Sequence, residues 1–483
     1  MTLNPGLARE FPMHVSDDTR LCVEETLAHA REAMAAIAGY DQGEIDLLVK
    51  AVGWAIYDEP HARHLAEIAV EDTGLGNVQD KITKNQRKTL GTLADLLVAK
   101  TVGIIEEDPI AGIVKYGKPV GVVGTLTPST NPAATPANQA MMAIKGGNAI
   151  VVSPSPTGLR TARQLETYIQ DELEKVGAPR RLFQVLPGKV SFEKASVLME
   201  QADLLLVTGD QVNVRRGYRS GTPCIGVGKG NVPVIVHHTA DLKDAAEKIA
   251  KSKTFDNATS CSSENAVIVE AEVYDAFKEE LQKAGAYLAD KTECARLEAT
   301  IFSEGAVNRE VIGKPLDKLA ALAGLNLPST TRFIAVEQDT VGSDHPLSGE
   351  KLCLVLSLYR ADDFEHAIRI SNAILDYEGV GHSVGIHCST PTYARRLARS
   401  SKVARVLMNQ AHTFGNGGGF NNSLPFTLSM GCGTWAGNSI SENLSYKNFI
   451  NTTTLAMPIA ERRVRADELF AEFTHAAEEK ACA

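Results

Sequence analysis

The sequence predicts an α/β fold in which two parallel β-sheets, each covered by helices on both faces, form two domains. Three observations predict this. The 483 residues exceed what a single core usually organises, so two or three domains are expected. From about residue 120, apolar runs of strand length alternate with helical patterns. A second alternation begins after residues 232–236, which places the domain boundary near residues 232–240.

Helical patterns fill the first hundred residues. Ser16 is placed to cap a first helix that ends shortly before Gly39, and further patterns cover residues 45–57, 61–72 and 84–98. The first alternation has strand-like runs PVGVVGTL, NAIVVS, LFQVL, DLLLVT and CIGVG. The second follows a strand-like run at residues 232–236 and has predicted strands at residues 266–270, 333–336, 353–358, 383–387 and 404–408.

Composition excludes several classes of protein. The net charge is −10 and no basic stripe gathers the 49 Lys and Arg residues, which argues against a nucleic-acid partner. No apolar run approaches the ~20 residues needed to cross a membrane, and the N-terminus lacks a secretory leader. The eight cysteines show no CxxC spacing, so we expect no disulfide framework and no metal site. We therefore expect a reduced, cytoplasmic protein.

Cys261 is the strongest candidate for a catalytic residue. It lies within TFDNATSCSSEN, among small hydroxylated residues just before the strand-like run AVIVE. A lone cytosolic cysteine is often only a buried small side chain. A serine-rich loop edge, however, offers the partial exposure and the dipoles that favour a thiolate.

Asn131 lies far upstream, in TPSTNPAATPANQ between a strand and a helix. Two roles compete for its side chain. With Pro132 at the first helical position, Asn131 is placed as a helix N-cap. Alternatively, its amide NH₂ donates to the oxyanion that forms when a thiolate adds to a carbonyl.

Glycine-containing turns follow several of the predicted strands. Thr208 and Gly209 lie between a strand and a helix, where backbone N–H groups can meet a phosphate, and GVGKGN follows the next strand. Neither matches the GxGxxG fingerprint of dinucleotide-binding folds, and GVGKGN alone is more often a turn than a cofactor loop. The loop TFGNGGGFNNS at residues 413–423 is either substrate-facing or a flexible connector.

Taken together, six motifs in this order and spacing resemble the aldehyde dehydrogenase superfamily, specifically its CoA-acylating branch: STNP, VTGD, GVGKGN, TFDNATSC, HPLSGEKL and GCGTWAGNSISENL. The resemblance runs from about residue 20 to about residue 460. It implies an aldehyde dehydrogenase-like fold with two Rossmann-like domains and a small oligomerisation hairpin. We expect a dinucleotide-binding domain at 1–235 with the hairpin at about 102–120, a catalytic cysteine domain at 236–425, and a C-terminal oligomerisation segment at 426–483.

The resemblance also implies roles for individual residues. Cys261 falls at the family nucleophile, and Asn131 at the donor that holds the oxyanion together with the Cys261 backbone N–H. Glu350 falls where a glutamate grips the nicotinamide ribose, although a solvated loop carboxylate is the alternative. The remaining implied cofactor-binding positions are Thr127, Pro128, Ser153, Ser155, Thr208, Gly209, Gly226, Val227 and Gly228.

One departure from the family pattern bears on the reaction. Hydrolytic members carry a glutamate base in an ELGG-type turn, and Gly226 stands at that position here. A thioester without a nearby base favours attack by the thiol of coenzyme A over hydrolysis. The cofactor is NADP or NAD, since SPSP replaces the acidic ribose contact and Arg160 or Arg163 is either near a 2′-phosphate or simply exposed.

The pattern is most similar to that of sulfoacetaldehyde dehydrogenases, so the expected substrate is a small anionic aldehyde. His412, Thr413 and Asn416 are candidates for its polar wall. Sulfoacetaldehyde is the first choice, and acetaldehyde and succinic semialdehyde are the alternative substrates. The rival functions are a hydrolytic aldehyde dehydrogenase and a non-enzymatic microcompartment or nucleotide-binding paralogue. Analogy implies a homodimer or homotetramer, paired through the hairpin and a strand near residues 451–454.

Overall fold

The computed structural model describes residues 15–303 and 306–473. The prediction about a secretory leader therefore lies largely outside the described residues, as does Cys482. Within residues 15–303 and 306–473, no helix combines the length and the apolar character that crossing a bilayer requires.

Four helices open the chain: α1 (Asp17–Ala36), α2 (Gln42–Tyr57), α3 (Glu59–Thr73) and α4 (Val78–Leu97). Side-chain caps fix their starts. Ser16 accepts a hydrogen bond from the Thr19 N–H, and Asp41 forms a capping box with Glu44. A hairpin of β1 (Gly103–Asp108) and β2 (Ile113–Pro119) follows, and it pairs in antiparallel fashion.

The first sheet has five parallel strands: β3 (Val122–Leu126), β4 (Ala149–Ser153), β5 (Phe183–Val185), β6 (Leu204–Val207) and β7 (Cys224–Gly226). Their spatial order is β5-β4-β3-β6-β7, which is the order of a Rossmann-like half-sheet with its switch point between β3 and β6. The helices between them are α5 (Ala134–Lys145), α6 (Leu159–Lys175), α7 (Phe192–Gln201) and α8 (Gln211–Arg219). Strands β3 and β4 are buried along their whole length, as helices on both faces require.

The second sheet has seven parallel strands in the order β10-β13-β14-β9-β8-β15-β16. They are β8 (Val232–Val236), β9 (Glu264–Glu270), β10 (Ala286–Leu288), β13 (Phe333–Glu337), β14 (Val355–Ala361), β15 (Gly381–His387) and β16 (Val403–Met408), with a small antiparallel pair β11 (Phe302–Ser303) and β12 (Ala306–Val307) beside them. The helices are α9 (Leu242–Thr254), α10 (Tyr274–Lys283), α11 (Lys291–Ile301), α12 (Leu316–Ala323), α13 (Phe364–Tyr377), α14 (Pro391–Ser400) and α15 (His412–Gly415).

The chain leaves the second sheet and returns to the hairpin. Strand β17 (Ile450–Ala456) pairs antiparallel with β2, completing a three-stranded sheet, and a short α16 (Ala466–Leu469) follows. We expected the hairpin to pair with this segment between subunits, but the structure pairs them within one chain. Seven residue pairs join the two strands, and among them Asn451 faces Lys118 and Leu455 faces Val114.

The structure differs from the sequence prediction in two details. The change of sheet occurs between Gly226 and Val232, so the strand at 232–236 belongs to the second sheet although residues up to 235 were assigned to the first domain. Helix α5 begins at Ala134 with Ala133 at the N-cap position, not at Pro132. Asn131 therefore does not cap this helix, and its side chain is free for other contacts.

Candidate active site

The loop that carries Cys261 connects α9 to β9 and begins with an unusual turn. Asp256, Asn257 and Ala258 have φ angles of 51°, 52° and 60°, in the left-handed region that side chains with a Cβ rarely adopt. Three such residues in succession need strong tertiary support. Cys261 follows this turn three residues later and lies just before the amino end of β9.

Asp256 supplies that support through ion pairs to helix α4. Its carboxylate is fully buried and lies 2.5 Å from Lys84 Nζ and 3.1 Å from Lys81 Nζ. It also accepts hydrogen bonds from Thr259 Oγ1 at 2.8 Å and from the Asn77 N–H at 3.0 Å. Burial alone would raise the pKa of Asp256, but the two lysines hold it below its usual value. The left-handed turn that precedes Cys261 is thus held by ion pairs to helix α4.

Asn131 belongs to the same network. Lys84 Nζ donates a hydrogen bond to Asn131 Oδ1 at 2.7 Å, which orients the amide group. The amide NH₂ has one long contact, of 3.4 Å, to Thr130 Oγ1. Since its oxygen is held by Lys84, the NH₂ group is the end that remains available as a donor. Of the two roles left open by the sequence, the oxyanion donor is the one the side-chain contacts allow.

Cys261 lies against a buried carboxylate. A Cβ placed on Gly230 would come within 2.2 Å of the Cys261 carbonyl oxygen and 2.9 Å of Glu350 Oε1, so Gly230 allows both to approach closely. Burial raises the pKa of the Cys261 thiol to about 12, and the Glu350 carboxylate adds to that rise. Burial also raises the pKa of Glu350 to about 8, against the opposing charge of Lys229. Glu350 is therefore not a solvated loop carboxylate.

We expect Glu350→Gln to increase the reactivity of the thiol in alkaline solution. Glu350 is charged above pH 8 and neutral below it, so its repulsion of the Cys261 thiolate acts only above that pH. Alkylation of Cys261 by iodoacetamide should proceed at the same rate in both proteins at pH 6.5 and faster in the variant at pH 9. Equal rates at pH 9 would contradict the coupling.

A pocket opens beside the loop that carries Cys261, which we call the thiol loop. Ser260 and Ser262, the two neighbours of Cys261, form part of its wall together with Asn131. Arg87 and Lys88 of α4 also line it, two cations in addition to Lys84, which pairs with Asp256. Its other lining residues are Phe255, Thr413, Phe414, Gly417, Thr427, Leu428 and Met430.

The two cations were not identified from the sequence. The run KNQRK was treated as part of a helix, and its spacing does place Lys84 and Lys88 on one face, with Arg87 beside them. A row of charges on a helix usually faces solvent, so the spacing alone did not indicate a pocket. Lys88 Nζ instead donates to the Gly417 carbonyl at 2.5 Å, and burial, followed by the charges of Arg87 and Lys84, lowers the pKa of Lys88 to about 7.

The candidate substrate residues have different surroundings. Thr413 lines the pocket. His412 is buried behind it, with Nε2 2.9 Å from Ser383 Oγ, and Asn416 is buried between Arg405 and Ser262, donating to Ser262 Oγ at 2.9 Å. The glycine-rich loop is therefore packed into the protein rather than a solvated connector. Asn416 contacts the thiol loop, and His412 lies outside the pocket lining.

The candidate cofactor residues gather at the carboxyl ends of the first sheet. Thr127 and Pro128 follow β3, and Thr208 and Gly209 follow β6, so these four flank the switch point. A Cβ on Gly209 would lie 3.3 Å from Pro128 Cβ, which shows how closely the two turns approach. Ser153 ends β4 with Ser155 just beyond, and Gly226, Val227 and Gly228 continue from β7.

Two buried hydroxyl groups at this edge have no hydrogen-bond partner among the described residues, Thr127 Oγ1 and Ser155 Oγ. Buried hydroxyls are normally paired, so both are suited to contact a ligand in the crevice. Arg163 donates to the Val185 carbonyl at 2.9 Å, while Arg160 pairs with Asp72 at 3.1 Å and with Glu71. Both arginines are thus engaged with protein groups.

Gly226 has no room for a side chain. A Cβ there would lie 2.6 Å from Val214 Cγ1 and 2.8 Å from the Tyr218 ring, and the Tyr218 hydroxyl accepts from the Gly226 N–H at 2.9 Å. A side chain at this position would require the Val214 and Tyr218 side chains to shift. The space beside Gly226 is therefore filled by the Val214 side chain and the Tyr218 ring.

Comparison with known proteins agrees with this geometry. Residues 2–295 match the model of the aldehyde dehydrogenase family. The chain is 48% identical to the acylating sulfoacetaldehyde dehydrogenase of Cupriavidus necator, over 93% of this chain and 92% of that protein. It is 38% identical to the acetylating succinate-semialdehyde dehydrogenase of Clostridium kluyveri, over 92% and 98% of the two chains.

Among solved structures, an acetylating aldehyde dehydrogenase from Geobacillus thermoglucosidasius superposes with a TM-score of 0.89 at 32% identity, covering 93% of this chain and 99% of that one. The α/β fold with two parallel sheets, expected from the sequence, is confirmed by this match. By sequence and by fold, the chain belongs to the aldehyde dehydrogenase family.

Proposed function

We propose that this chain is a CoA-acylating dehydrogenase that oxidises sulfoacetaldehyde to sulfoacetyl-CoA with NAD⁺ or NADP⁺. The pair of cations facing the Cys261 loop, Arg87 and Lys88, carries the proposal. Within the described part of the chain, neither forms a salt bridge with a carboxylate. A sulfonate on the substrate supplies the missing anion, whereas acetaldehyde would leave both charges uncompensated. The likeness to the Cupriavidus enzyme supports the same substrate.

In this proposal the Cys261 thiolate adds to the aldehyde carbon and forms a thiohemiacetal. The resulting alkoxide accepts hydrogen bonds from the Asn131 NH₂ and the Cys261 N–H, which stabilise charge as it develops. The nicotinamide supplies the hydride acceptor. The switch-point residues Thr127, Pro128, Thr208 and Gly209 would hold the dinucleotide, with Glu350 near its ribose.

The carboxylates near Cys261 favour removal of the acyl group by coenzyme A rather than by water. Water needs a base to attack a thioester, and Gly226 and its tyrosine neighbour leave none at the hydrolytic position. The pKa of Glu350 is about 8, so this group is mostly protonated at pH 7 and a poor acceptor for a water proton. The thiolate of coenzyme A attacks without such help, exchanging one thioester for another.

Formation of reduced nicotinamide tests the proposal. The purified protein is assayed with sulfoacetaldehyde, acetaldehyde and succinic semialdehyde, each with and without coenzyme A, using NAD⁺ and NADP⁺ in parallel. Turnover that requires coenzyme A and has its highest kcat/KM with sulfoacetaldehyde is expected. Equal turnover without coenzyme A would show that water deacylates the enzyme. A higher kcat/KM for succinic semialdehyde would assign the cations to a longer carboxylate substrate.

Arg87→Met should weaken the recognition of the sulfonate specifically. A charged hydrogen bond contributes about 1.5–3 kcal/mol, so kcat/KM for sulfoacetaldehyde should fall about 10- to 150-fold. The value for acetaldehyde should change less than about 3-fold, because that substrate has no anion to bind. Arg369→Met, which removes an exposed arginine of α13, is the matched control. Equal losses for both aldehydes would assign Arg87 a structural role.

Lys88 makes the preference for sulfoacetaldehyde depend on pH. Its pKa is about 7, because burial and the neighbouring cations destabilise the charged form, so Lys88 is charged below that pH and neutral above it. The ratio of kcat/KM for sulfoacetaldehyde to that for acetaldehyde should therefore fall as the pH rises from 6 to 8.5. Ionisation of Cys261 cancels in this ratio. Lys88→Met should give a ratio that is lower and does not change with pH.

We also propose a homodimer or homotetramer in the cytoplasm. Strand β17 is the edge of its three-stranded sheet, and the apolar side chains of Leu455, Met457 and Ile459 are exposed there. An exposed edge strand with apolar side chains is suited to pair with a second copy of the chain. The described cysteines are all free, as is usual in a reducing compartment. Light scattering that gives a monomer mass would contradict the oligomer.

A further inference from the structure

A group of three potential metal ligands lies at the far end of the catalytic sheet. His237 and His238 directly follow β8, and Glu270 is the last residue of the neighbouring parallel strand β9. One donor atom from each lies within 4.8 Å of the others. Cys261 precedes the opposite, amino end of β9, so the group is separated from the thiol by about 20 Å of strand.

His237 is held rigidly. Its ring is buried, with the Tyr393 ring centroid 3.7 Å away and the Phe364 ring packed edge-on at 5.2 Å. Nδ1 lies 2.8 Å from Thr239 Oγ1 and accepts a hydrogen bond from the Thr239 N–H at 3.2 Å, and these two contacts fix the orientation of the imidazole. These contacts leave Nε2 directed at Glu270.

The remaining polar atoms of the group point at one another. His237 Nε2 lies 3.6 Å from Glu270 Oε1, and neither atom has a hydrogen-bond partner among the described residues. Both side chains are more than nine-tenths buried. Leaving a buried nitrogen and a buried carboxylate oxygen unsatisfied costs free energy, so the arrangement calls for a group that binds both.

His238, the third potential ligand, lies on the solvent side of the group. His238 Nδ1 lies 2.5 Å from Glu270 Oε2, and 38% of the His238 side chain is exposed. An ion at about 2.0–2.2 Å from each donor needs ligand atoms about 3.3 Å apart, a spacing that His237 and Glu270 already have. His238 Nδ1 and Glu270 Oε2 are closer together than this spacing, and the exposed His238 ring is free to move away until the spacing is reached.

We propose that His237, His238 and Glu270 bind a divalent transition-metal ion, with zinc as the natural occupant. Two imidazoles and one carboxylate suit Zn²⁺ or Co²⁺, whereas Mg²⁺ and Ca²⁺ prefer oxygen ligands. The ion joins the carboxyl ends of β8 and β9 and keeps a water-filled position toward solvent. The cysteine spacing in the sequence gave no indication of this site, because its ligands are two adjacent histidines and a glutamate more than 30 residues away.

Titration with Co²⁺ tests the site, because the visible absorption of Co²⁺ reports the ligand type and the coordination geometry. The full-length protein is first treated with EDTA and dialysed. One equivalent of Co²⁺ should bind, giving nitrogen and oxygen ligation without a thiolate charge-transfer band, and Zn²⁺ should displace it. The melting temperature should rise with Zn²⁺.

His238→Ala and Glu270→Gln should each weaken Co²⁺ binding more than 10-fold and abolish the rise in melting temperature. His345→Ala, which removes an exposed histidine elsewhere, should change neither. The His238 variant should keep its dehydrogenase activity, since the group is remote from Cys261. Absence of Co²⁺ binding, a thiolate band, or unchanged affinity in His238→Ala would each overturn the proposal.

Discussion

Cys261→Ala is expected to lower kcat for aldehyde oxidation by at least about 10⁴-fold, because removing a nucleophile eliminates the covalent pathway. Without coenzyme A, the wild-type protein should release about one reduced nicotinamide per chain in a burst and gain the mass of the acyl group. The variant should do neither. Stopped-flow absorbance and intact-protein mass spectrometry measure the two outcomes.

Cys432 makes this test informative. It is buried near the thiol loop, and its proximity contributes to the raised pKa of Cys261. If Cys432 were the nucleophile, Cys261→Ala would keep the burst and the acyl adduct, and our assignment would be wrong. Cys22→Ala, which removes a partly exposed cysteine of α1, is the control and should retain full activity.

Much of the fold follows from the sequence because parallel strands leave a clear local signature. Strands β3 and β4 are apolar at nearly every position, since helices cover both faces of the sheet. The loop that carries Cys261 could also be identified from the sequence, because a cysteine among serines is unusual before a buried strand. The turn residues after β3 and β6 could be placed together because the ends of parallel strands meet at one edge.

The pocket wall could not be predicted in the same way. Arg87 and Lys88 belong to a helix that is distant in sequence from Cys261, and tertiary contacts such as the ion pairs and hydrogen bonds of Asp256 bring the two together. The left-handed turn at Asp256 depends on those pairs as well. Asn416, a candidate for the polar wall of the substrate site, is buried and donates a hydrogen bond to Ser262 Oγ, a contact that the sequence did not indicate. Tertiary contacts decided each of these positions.

Asn131→Ala is expected to lower kcat by about 10²- to 10³-fold, the usual effect of removing one oxyanion donor. The Lys84 hydrogen bond to Asn131 Oδ1 orients the amide so that its NH₂ group is the free end. The variant should lose rate in the burst phase, where hydride leaves the thiohemiacetal, while KM for the nicotinamide cofactor changes little. Pre-steady-state absorbance measures both quantities.

The reactivity of the thiol separates this role from a structural one. Alkylation of Cys261 by iodoacetamide forms no oxyanion, so Asn131→Ala should leave its rate within about 2-fold of wild type while turnover falls at least about 100-fold. Asn131→Asp should be slower still, because a carboxylate repels the alkoxide and pairs with Lys84. If alkylation and turnover instead fell together, Asn131 would act by holding the thiol loop in place, and the oxyanion would depend on the Cys261 N–H alone.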